Sequence, residues 1–343
     1  MRAISAADAV SLAVQRTREF LFRPFTWGTY LKLGLVAIVT EGLGSNFNSS
    51  THSNVPSGHG PTISPPFNIP PVWIAAAVAA VLLALIVSLF VFYLVTRLRF
   101  AYFHCLVHNT TEIRPGWWIY KAQAMRFFWL NLAVAFSFLL VVGLIAIPFV
   151  SGFWRLFQES QQGGQLDIPL LLSLVLPLIP IILLVALVAM LADLILRDGM
   201  LPHFALDDAS AGEAWFQVWS RIKAERRQFL VYALLRIALP IIATIGLFIL
   251  FMIPGLILAG SIAAVEFGIH STFADATGAS ALVGNLLEVF FGLIAFGLAL
   301  LAGICLGGPV STAIREYALV FYGGRYKELG DTLYPPSVPP AIA

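Results

Sequence analysis

Residues 168–196 read IPLLLSLVLPLIPIILLVALVAMLADLIL, and Asp193 is the only charged residue among them. A run of about 20 apolar residues is long enough to cross the hydrocarbon core of a bilayer as a helix. Pro177 and Pro180 lie inside the run, and membrane helices tolerate proline where neighbouring groups satisfy the freed backbone. The stretch therefore predicts a kinked membrane-spanning helix.

The composition of the whole chain agrees with this prediction. Apolar residues make up 59% of the 343 residues and charged residues only 11%, whereas soluble domains carry about 25% charged residues. Such a composition excludes an ordinary soluble protein, and it excludes disorder, which requires low hydrophobicity. Lys and Arg number 20 against 18 Asp and Glu, a balance too even to indicate nucleic-acid binding.

Five further apolar runs are long enough to predict membrane helices. They cover residues 27–44, 72–95, 127–150, 229–258 and 283–306. The first is the weakest, because Lys32 and Glu41 lie near its two ends. The sequence predicts an all-α fold: a single integral membrane domain over residues 1–343 with six transmembrane helices.

The segments between the runs differ in character. Residues 1–26 contain an amphipathic helix over 5–22, and residues 309–322 predict a second interfacial helix. Residues 45–71 are rich in Ser, Asn, Gly and Pro and contain no Lys, Arg, Asp or Glu, which predicts a flexible extracytoplasmic loop. Residues 331–343 form a proline-rich tail.

The distribution of basic residues predicts the orientation. Residues 1–29, 97–126, 197–228 and 308–343 together hold 17 Lys and Arg, and the three alternate loops hold only Arg155. Lys and Arg concentrate in cytoplasmic loops of membrane proteins. Both termini are therefore expected in the cytoplasm, and the localisation expected is the bacterial cytoplasmic membrane.

The spacing of the predicted spans suggests an internal repeat. Arg97 and Arg197 each end a span, and each is followed by an aromatic amphipathic stretch and a proline-containing span. One interpretation is a three-fold pseudo-repeat of helical hairpins. The other is that any alternating topology gives similar spacing.

Motifs that carry chemistry are scarce. The chain has no metalloprotease, nucleophile-elbow, phosphate-loop or CxxC motif, so we expect no enzymatic activity, no metal and no cofactor. His104 and His108 share a helical face but lack further ligands nearby, which favours interfacial histidines over a metal site. Asp207, Asp208 and Glu213 favour a turn and helix start over an acid–base pair, because acidic side chains stabilise helix N-termini.

Two groups of charged residues are candidate sites. Asp193 and Arg236 lie inside predicted spans at similar depth, where charge is costly. They predict either a buried ion pair between adjacent helices or contacts to a ligand in a cavity. A basic group beside the fifth span predicts contact with anionic lipid headgroups, although it also serves as a topology signal: Arg221, Lys223, Arg226 and Arg227.

Several stretches resemble a group of uncharacterised bacterial multi-pass membrane proteins. These stretches are LFRPF at 21–25 with Trp27, Asp193, AWFQVW at 214–219, and 309–322 with REYAL at 315–319. That group is related to the membrane domain of glycerophosphodiester phosphodiesterases. The resemblance implies a six-helix membrane domain without a catalytic domain, so it brings no catalytic residues.

These observations are compatible with three functions. The first is a non-enzymatic membrane module that binds membrane lipids or another membrane protein. The second is a transporter or lipid translocator with a site between the proline-broken helices four and five, since interrupted helices mark transporter sites. The third is an intramembrane enzyme, which the absence of a motif disfavours.

Overall fold

The structure is a computed structural model that describes residues 4–45, 71–161, 168–273 and 278–334. Throughout these ranges the regular secondary structure is helical, and no strand occurs in them. The predicted all-α fold is therefore confirmed.

Five helices are long and apolar enough to cross a membrane. In each, the most apolar window contains no residue buried inside the protein, so these windows turn their side chains outward, as a lipid environment requires. Five of the six predicted spans are confirmed in this sense: α3 (Pro71–His108), α5 (Lys121–Gln161), α6 (Ile168–Leu194), α9 (Arg226–Phe273) and α10 (Ala279–Gly323).

Shorter helices gather at one end of the long ones, which we call the capped end. They are α1 (Asp8–Phe22), α4 (Ile113–Ile119), α7 (Leu201–Leu206), α8 (Ala211–Ala224) and α11 (Lys327–Leu333). The buried face of α1 includes Ala9 and Ala13 and packs with Tyr317 and Phe321 of α10. The amphipathic pattern of α1 thus reflects contact with protein; contact of its other face with lipid stays a prediction.

The sixth predicted span forms α2 (Trp27–Ser45), which is helical but is not among the five long apolar helices. It crosses α10 at a pair of glycines: a Cβ placed on Gly308 would lie 2.7 Å from Cα of Gly34. Tyr30 then donates a hydrogen bond to the carbonyl of Cys305 at 2.6 Å. This close crossing fixes α2 in the bundle and brings Glu41 to its interior.

Two predictions on the C-terminal part require correction. Residues 309–322 are the continuation of α10, not a separate interfacial helix. Pro309 lies inside the helix, where flanking contacts tolerate it, and Arg315 through Tyr322 are buried. Residues 331–333 belong to α11, so the predicted tail begins later. The rest of the tail after residue 334 and residues 46–70 of the predicted loop lie outside the described residues.

A π-helical turn, Ile195–Met200, joins α6 to α7. Pro202 follows it and has no N–H to donate to the carbonyl five residues earlier, that of Arg197. This carbonyl instead accepts a hydrogen bond from Arg315 at 3.0 Å. Within the turn Gly199 allows α8 to approach, since a Cβ there would lie 2.9 Å from Cγ1 of Val218. Turns of this kind occur often at functional sites.

Candidate functional site

Seven charged residues from six helical elements meet just inside the capped end, and we call them the charge cluster. They are Glu41 of α2, Arg99 of α3, Asp193 of α6, Arg197 and Asp198 of the π-helical turn, Arg236 of α9 and Arg315 of α10. Except for Asp193, whose side chain is 38% exposed, all are buried or nearly so. Buried charge of this density is costly unless it is paired.

Ion pairs run through the cluster in a continuous chain. Asp193 Oδ2 lies 3.0 Å from Arg197 Nη1, whose Nη2 lies 2.7 Å from Oε2 of Glu41. The same oxygen of Glu41 lies 2.9 Å from Arg236 Nη2. Arg236 Nε continues to Oδ2 of Asp198 at 3.0 Å. Asp198 Oδ1 then lies 2.8 Å from Arg315 Nη1. The chain ties α2, α6, α9 and α10 together.

Neutral groups complete the network. The carbonyl of Thr40 accepts hydrogen bonds from Nε of Arg99 at 3.1 Å and from Nη2 of Arg197 at 3.2 Å. The hydroxyl of Tyr232 donates to Asp198 at 2.7 Å. These hydrogen bonds offset part of the free energy that burial of the charges costs.

The cluster nevertheless carries more positive than negative charge. Four arginines face three carboxylates, which leaves one excess positive formal charge. Among the described residues Arg99 makes no ion pair. Arg197 Nε and Arg315 Nη2 are buried and have no hydrogen-bond partner in the described structure. The cluster therefore has both the charge and the donors to accept an anion.

One cavity opens beside the cluster between α6, α9 and α10, and we call it the α6–α9 cavity. Its volume is about 430 Å³. Its charged lining residues are Glu41, Asp193, Arg197, Asp198 and Arg236. The remaining walls are mainly apolar and include Leu194, Ile237, Pro240, Ile241, Leu247, Val310 and Ile314. A site lined by both charged and apolar residues matches an amphiphile.

A second cavity lies between α3, α5 and α6, and we call it the α3–α5 cavity. Its volume is about 230 Å³. Arg99, Asn131 and Asp193 are its polar lining residues. The apolar walls are formed by Val91, Phe92, Val95, Val134, Ala135, Phe138, Ala189, Ala192 and Leu196. Asp193 lines both cavities, so this residue is common to the two.

The predicted partnership of Asp193 and Arg236 takes a different form in the structure. The two do not form a direct ion pair: Asp193 pairs with Arg197, and Arg236 pairs with Glu41 and Asp198. Glu41 of α2 occupies the position between them, which the sequence could not indicate. Both residues line the α6–α9 cavity; contact of either with a ligand stays a prediction.

The four basic residues beside α9 lie in two different environments. Arg221 turns inward, where Nη1 donates to the hydroxyl of Tyr322 at 2.9 Å and lies 2.6 Å from Nε2 of His203. Lys223, Arg226 and Arg227 are exposed, and Lys223 lies 5.6 Å from the ring of Trp219. Contact of these three with anionic headgroups stays a prediction.

Sequence reasoning missed a second polar network, centred on His203, which is fully buried. Its Nδ1 lies 2.8 Å from Oδ2 of Asp207 and its Nε2 lies 2.9 Å from the hydroxyl of Tyr322. Because Arg221 N–H groups can only donate, Nε2 accepts and the proton sits on Nδ1. The i,i+4 spacing of His203 and Asp207 was the signal available in the sequence.

The network around His203 joins helices at the capped end and lines neither cavity described above. The hydroxyl of Tyr326 donates to Asp207, which links α11 to α7. Burial opposes the ionisation of Asp207, but hydrogen bonds from Glu328, His203 and Tyr326 outweigh it and hold the pKa of Asp207 below its ordinary value. We interpret this network as structural.

The remaining candidates have local roles. His104 and His108 lie with ring centroids 4.4 Å apart, and no group of metal ligands occurs among the described residues. Glu213 forms a capping box with Ser210 at the start of α8, and its pKa is lowered by hydrogen bonds from the backbone and side chain of Ser210. The predicted helix start is thus present.

Comparison with known proteins adds one finding. A family model matches residues 4–332. The chain belongs to DUF7544, a family of unknown function. Because the match covers α1 to α11, the charge cluster and both cavities lie inside the family region. No curated protein and no solved structure matches the chain. The similarity to membrane domains of glycerophosphodiester phosphodiesterases stays a prediction.

Proposed function

We propose that the chain is a non-enzymatic, multi-pass membrane module that binds lipid from the surrounding bilayer. The observation that carries this proposal is the pair of cavities with apolar walls that share Asp193 and flank the charge cluster. Lipids combine a polar headgroup with apolar chains. The cluster offers arginine donors to the headgroup, and the walls offer apolar surface to the chains.

The placement of the cluster also supports lipid binding. Its residues lie near the capped ends of the long helices, a few turns from the shorter helices. Buried arginines near the ends of membrane helices can contact headgroups at the interface. In contrast, the middle windows of the same helices are apolar and face outward, which suits contact with lipid chains.

Lipid retention during purification tests the proposal. The protein is extracted from bacterial membranes in a mild detergent, and bound lipid is measured by native mass spectrometry. We expect lipid adducts that survive delipidating detergent better than adducts on Ser311→Leu, which adds bulk to the α6–α9 cavity. Ser220→Ala, on the exposed face of α8, serves as the matched control. Complete loss of lipid from the unaltered protein under mild conditions would contradict lipid binding.

A second candidate function is lipid translocation. The observation that favours it is that α6, α9 and α10 all contain proline and together form the α6–α9 cavity, where Asp193 and Arg236 face the same space. Proteoliposomes with a fluorescent phospholipid in the inner leaflet distinguish the two functions. Transfer to the outer leaflet faster than in protein-free vesicles supports translocation; equal rates support the binding module.

The proposed orientation places both termini in the cytoplasm of a bacterium, with α2 as a sixth crossing. The support is the one-sided distribution of Lys and Arg. The packing of α2 along α10 at Gly34 and Gly308 supports α2 as a sixth crossing. The capped end would then face the cytoplasm, and its exposed aromatic side chains, among them Trp27, Trp118 and Trp215, would lie at the headgroup level.

A further inference from the structure

Arg99 is the residue of the charge cluster whose positive charge is least balanced by a nearby negative charge. It is 7% exposed, and its Nε donates to the carbonyl of Thr40 at 3.1 Å. It makes no ion pair with any residue that the structure describes. Asp193 and Glu41 are the nearest sources of negative charge, and both are bound to other arginines. The excess positive charge of the cluster is therefore localised at Arg99.

The surroundings of Arg99 define what could balance that charge. Arg99 lines the α3–α5 cavity together with Asn131, which is 8% exposed and donates to the carbonyl of Phe127 at 2.8 Å. Every other lining residue except Asp193 is apolar. Val91 and Ala135 are exposed at the outer face of the bundle, so the walls continue to the surface that faces lipid. A ligand that balances the charge of Arg99 must therefore have an apolar part as well as a negative charge.

Asp193 restricts the charge of that group. Its carboxylate lines the same cavity and repels a second negative charge. A headgroup with two negative charges would meet one unpaired arginine and one carboxylate, whereas a singly charged headgroup would offset the one excess positive charge of the cluster. The geometry thus favours a monoanion.

We infer that the α3–α5 cavity binds a monoanionic amphiphile, with its phosphodiester or carboxylate on Arg99 and an acyl chain between α3, α5 and α6. This inference rests on the proposed function, because it assigns a lipid class and a headgroup site to the same membrane module. Guanidinium groups bind phosphate and carboxylate oxygens through paired hydrogen bonds. The apolar walls at Val91, Val134 and Phe138 bind the chain through burial of apolar area.

Binding to delipidated protein tests the inference. Four probes are compared by thermal shift: dioleoyl phosphatidylglycerol, oleate, dioleoyl phosphatidylcholine and glycerol 3-phosphate. We expect stabilisation by the anionic lipid, the fatty acid or both, which identifies the source of the anion. The zwitterionic lipid should bind at least about tenfold more weakly, which is about 1.4 kcal/mol. Stabilisation by glycerol 3-phosphate alone, or equal stabilisation by both phospholipids, would overturn the inference.

Arg99→Gln is the central variant. It removes the excess charge and retains a donor for the carbonyl of Thr40, so the lipid-free protein should be at least as stable as the original. Its affinity for the anionic probe should fall by at least about tenfold. Arg155→Gln, which removes an exposed arginine outside the cluster, is the matched control and should bind like the original. Unchanged binding by Arg99→Gln would refute the site.

Phe138→Trp provides an independent test if Arg99→Gln fails to fold. It adds bulk to the cavity wall and leaves Arg99 in place, and binding of the anionic probe should fall without loss of helicity. If the original protein binds lipid and neither variant alters binding, the inference fails and the proposed function stands. If the original protein binds no lipid of any class, both fail.

Discussion

Oε2 of Glu41 lies 2.7 Å from Nη2 of Arg197, and this contact joins the weakest of the predicted spans to the π-helical turn. The same oxygen reaches Arg236 at 2.9 Å. A glutamate that weakens the hydropathy of α2 is thus the anion that holds two arginines of the charge cluster. The residue that makes α2 a marginal membrane helix, Glu41, is therefore also the residue that joins α2 to the charge cluster.

The first prediction concerns Glu41. Glu41→Gln leaves Arg197 and Arg236 without their shared carboxylate, and removal of one partner from a buried ion pair costs about 3–5 kcal/mol. We expect a loss of this size in the free energy of unfolding, measured by titration with a denaturing detergent. Glu19→Gln is the control, because Glu19 is exposed and, among the described residues, its side chain bonds only to Gln15. Similar losses for both variants would contradict the account.

The second prediction separates direct from indirect partners of Arg236. Arg236 Nε bonds to Asp198 at 3.0 Å, whereas Asp193 is linked to Arg236 only through Arg197 and Glu41. In double-mutant cycles with Arg236→Gln, Asp198→Asn should show a coupling energy within the range of about 0.5–3 kcal/mol typical of contacting residues. Asp193→Asn should show a smaller one. The reverse order would support the direct pair expected from sequence.

The third prediction uses two glycines of α10 as a matched pair. Gly308→Ala places a Cβ 2.7 Å from Cα of Gly34 and should force α2 away, at a cost of about 1–3 kcal/mol as in other overpacked sites. Gly303→Ala meets no atom within 4 Å and should be neutral or stabilising by up to about 1 kcal/mol through helix propensity. Thermal unfolding of both variants measures this difference. Equal effects would mean that α2 does not cross α10 here.

The fourth prediction concerns orientation. Single cysteines at Ser57 and Ser220 are introduced with Cys105 and Cys305 replaced, and intact cells are treated with an impermeant thiol reagent. We expect labelling at 57 and protection at 220, which lies on the exposed face of α8. Labelling at 220 and protection at 57 would invert the proposed topology.

Local physics made the long helices predictable from sequence. Each apolar run is long enough to identify a helix without knowledge of its neighbours, so α3, α5, α6, α9 and α10 were expected. The separate interfacial helix predicted over 309–322 is instead the end of α10, which contains Pro309. In the structure the helix continues through it, and the charged residues beyond it, Arg315 and Glu316, are buried by partners from distant parts of the chain.

The site was only partly predictable from the sequence, because most of its contacts join residues that are distant along the chain. Asp193 and Arg236 were identified because charge inside an apolar run is visible in sequence. Their partners depend on tertiary packing: Glu41 reaches Arg236 only because Gly34 and Gly308 let α2 approach α10. The π-helical turn, which presents Arg197 and Asp198 together to the interior, has no sequence signature beyond Pro202.

Lipid in the cavities beside the charge cluster would be visible in a density map of the protein in nanodiscs of bacterial lipid. We expect elongated density between α3, α5 and α6 that ends at Arg99, or between α6 and α9 that ends at Arg236. Cavities closed by their own side chains, with Arg99 paired to a protein carboxylate, would contradict this expectation.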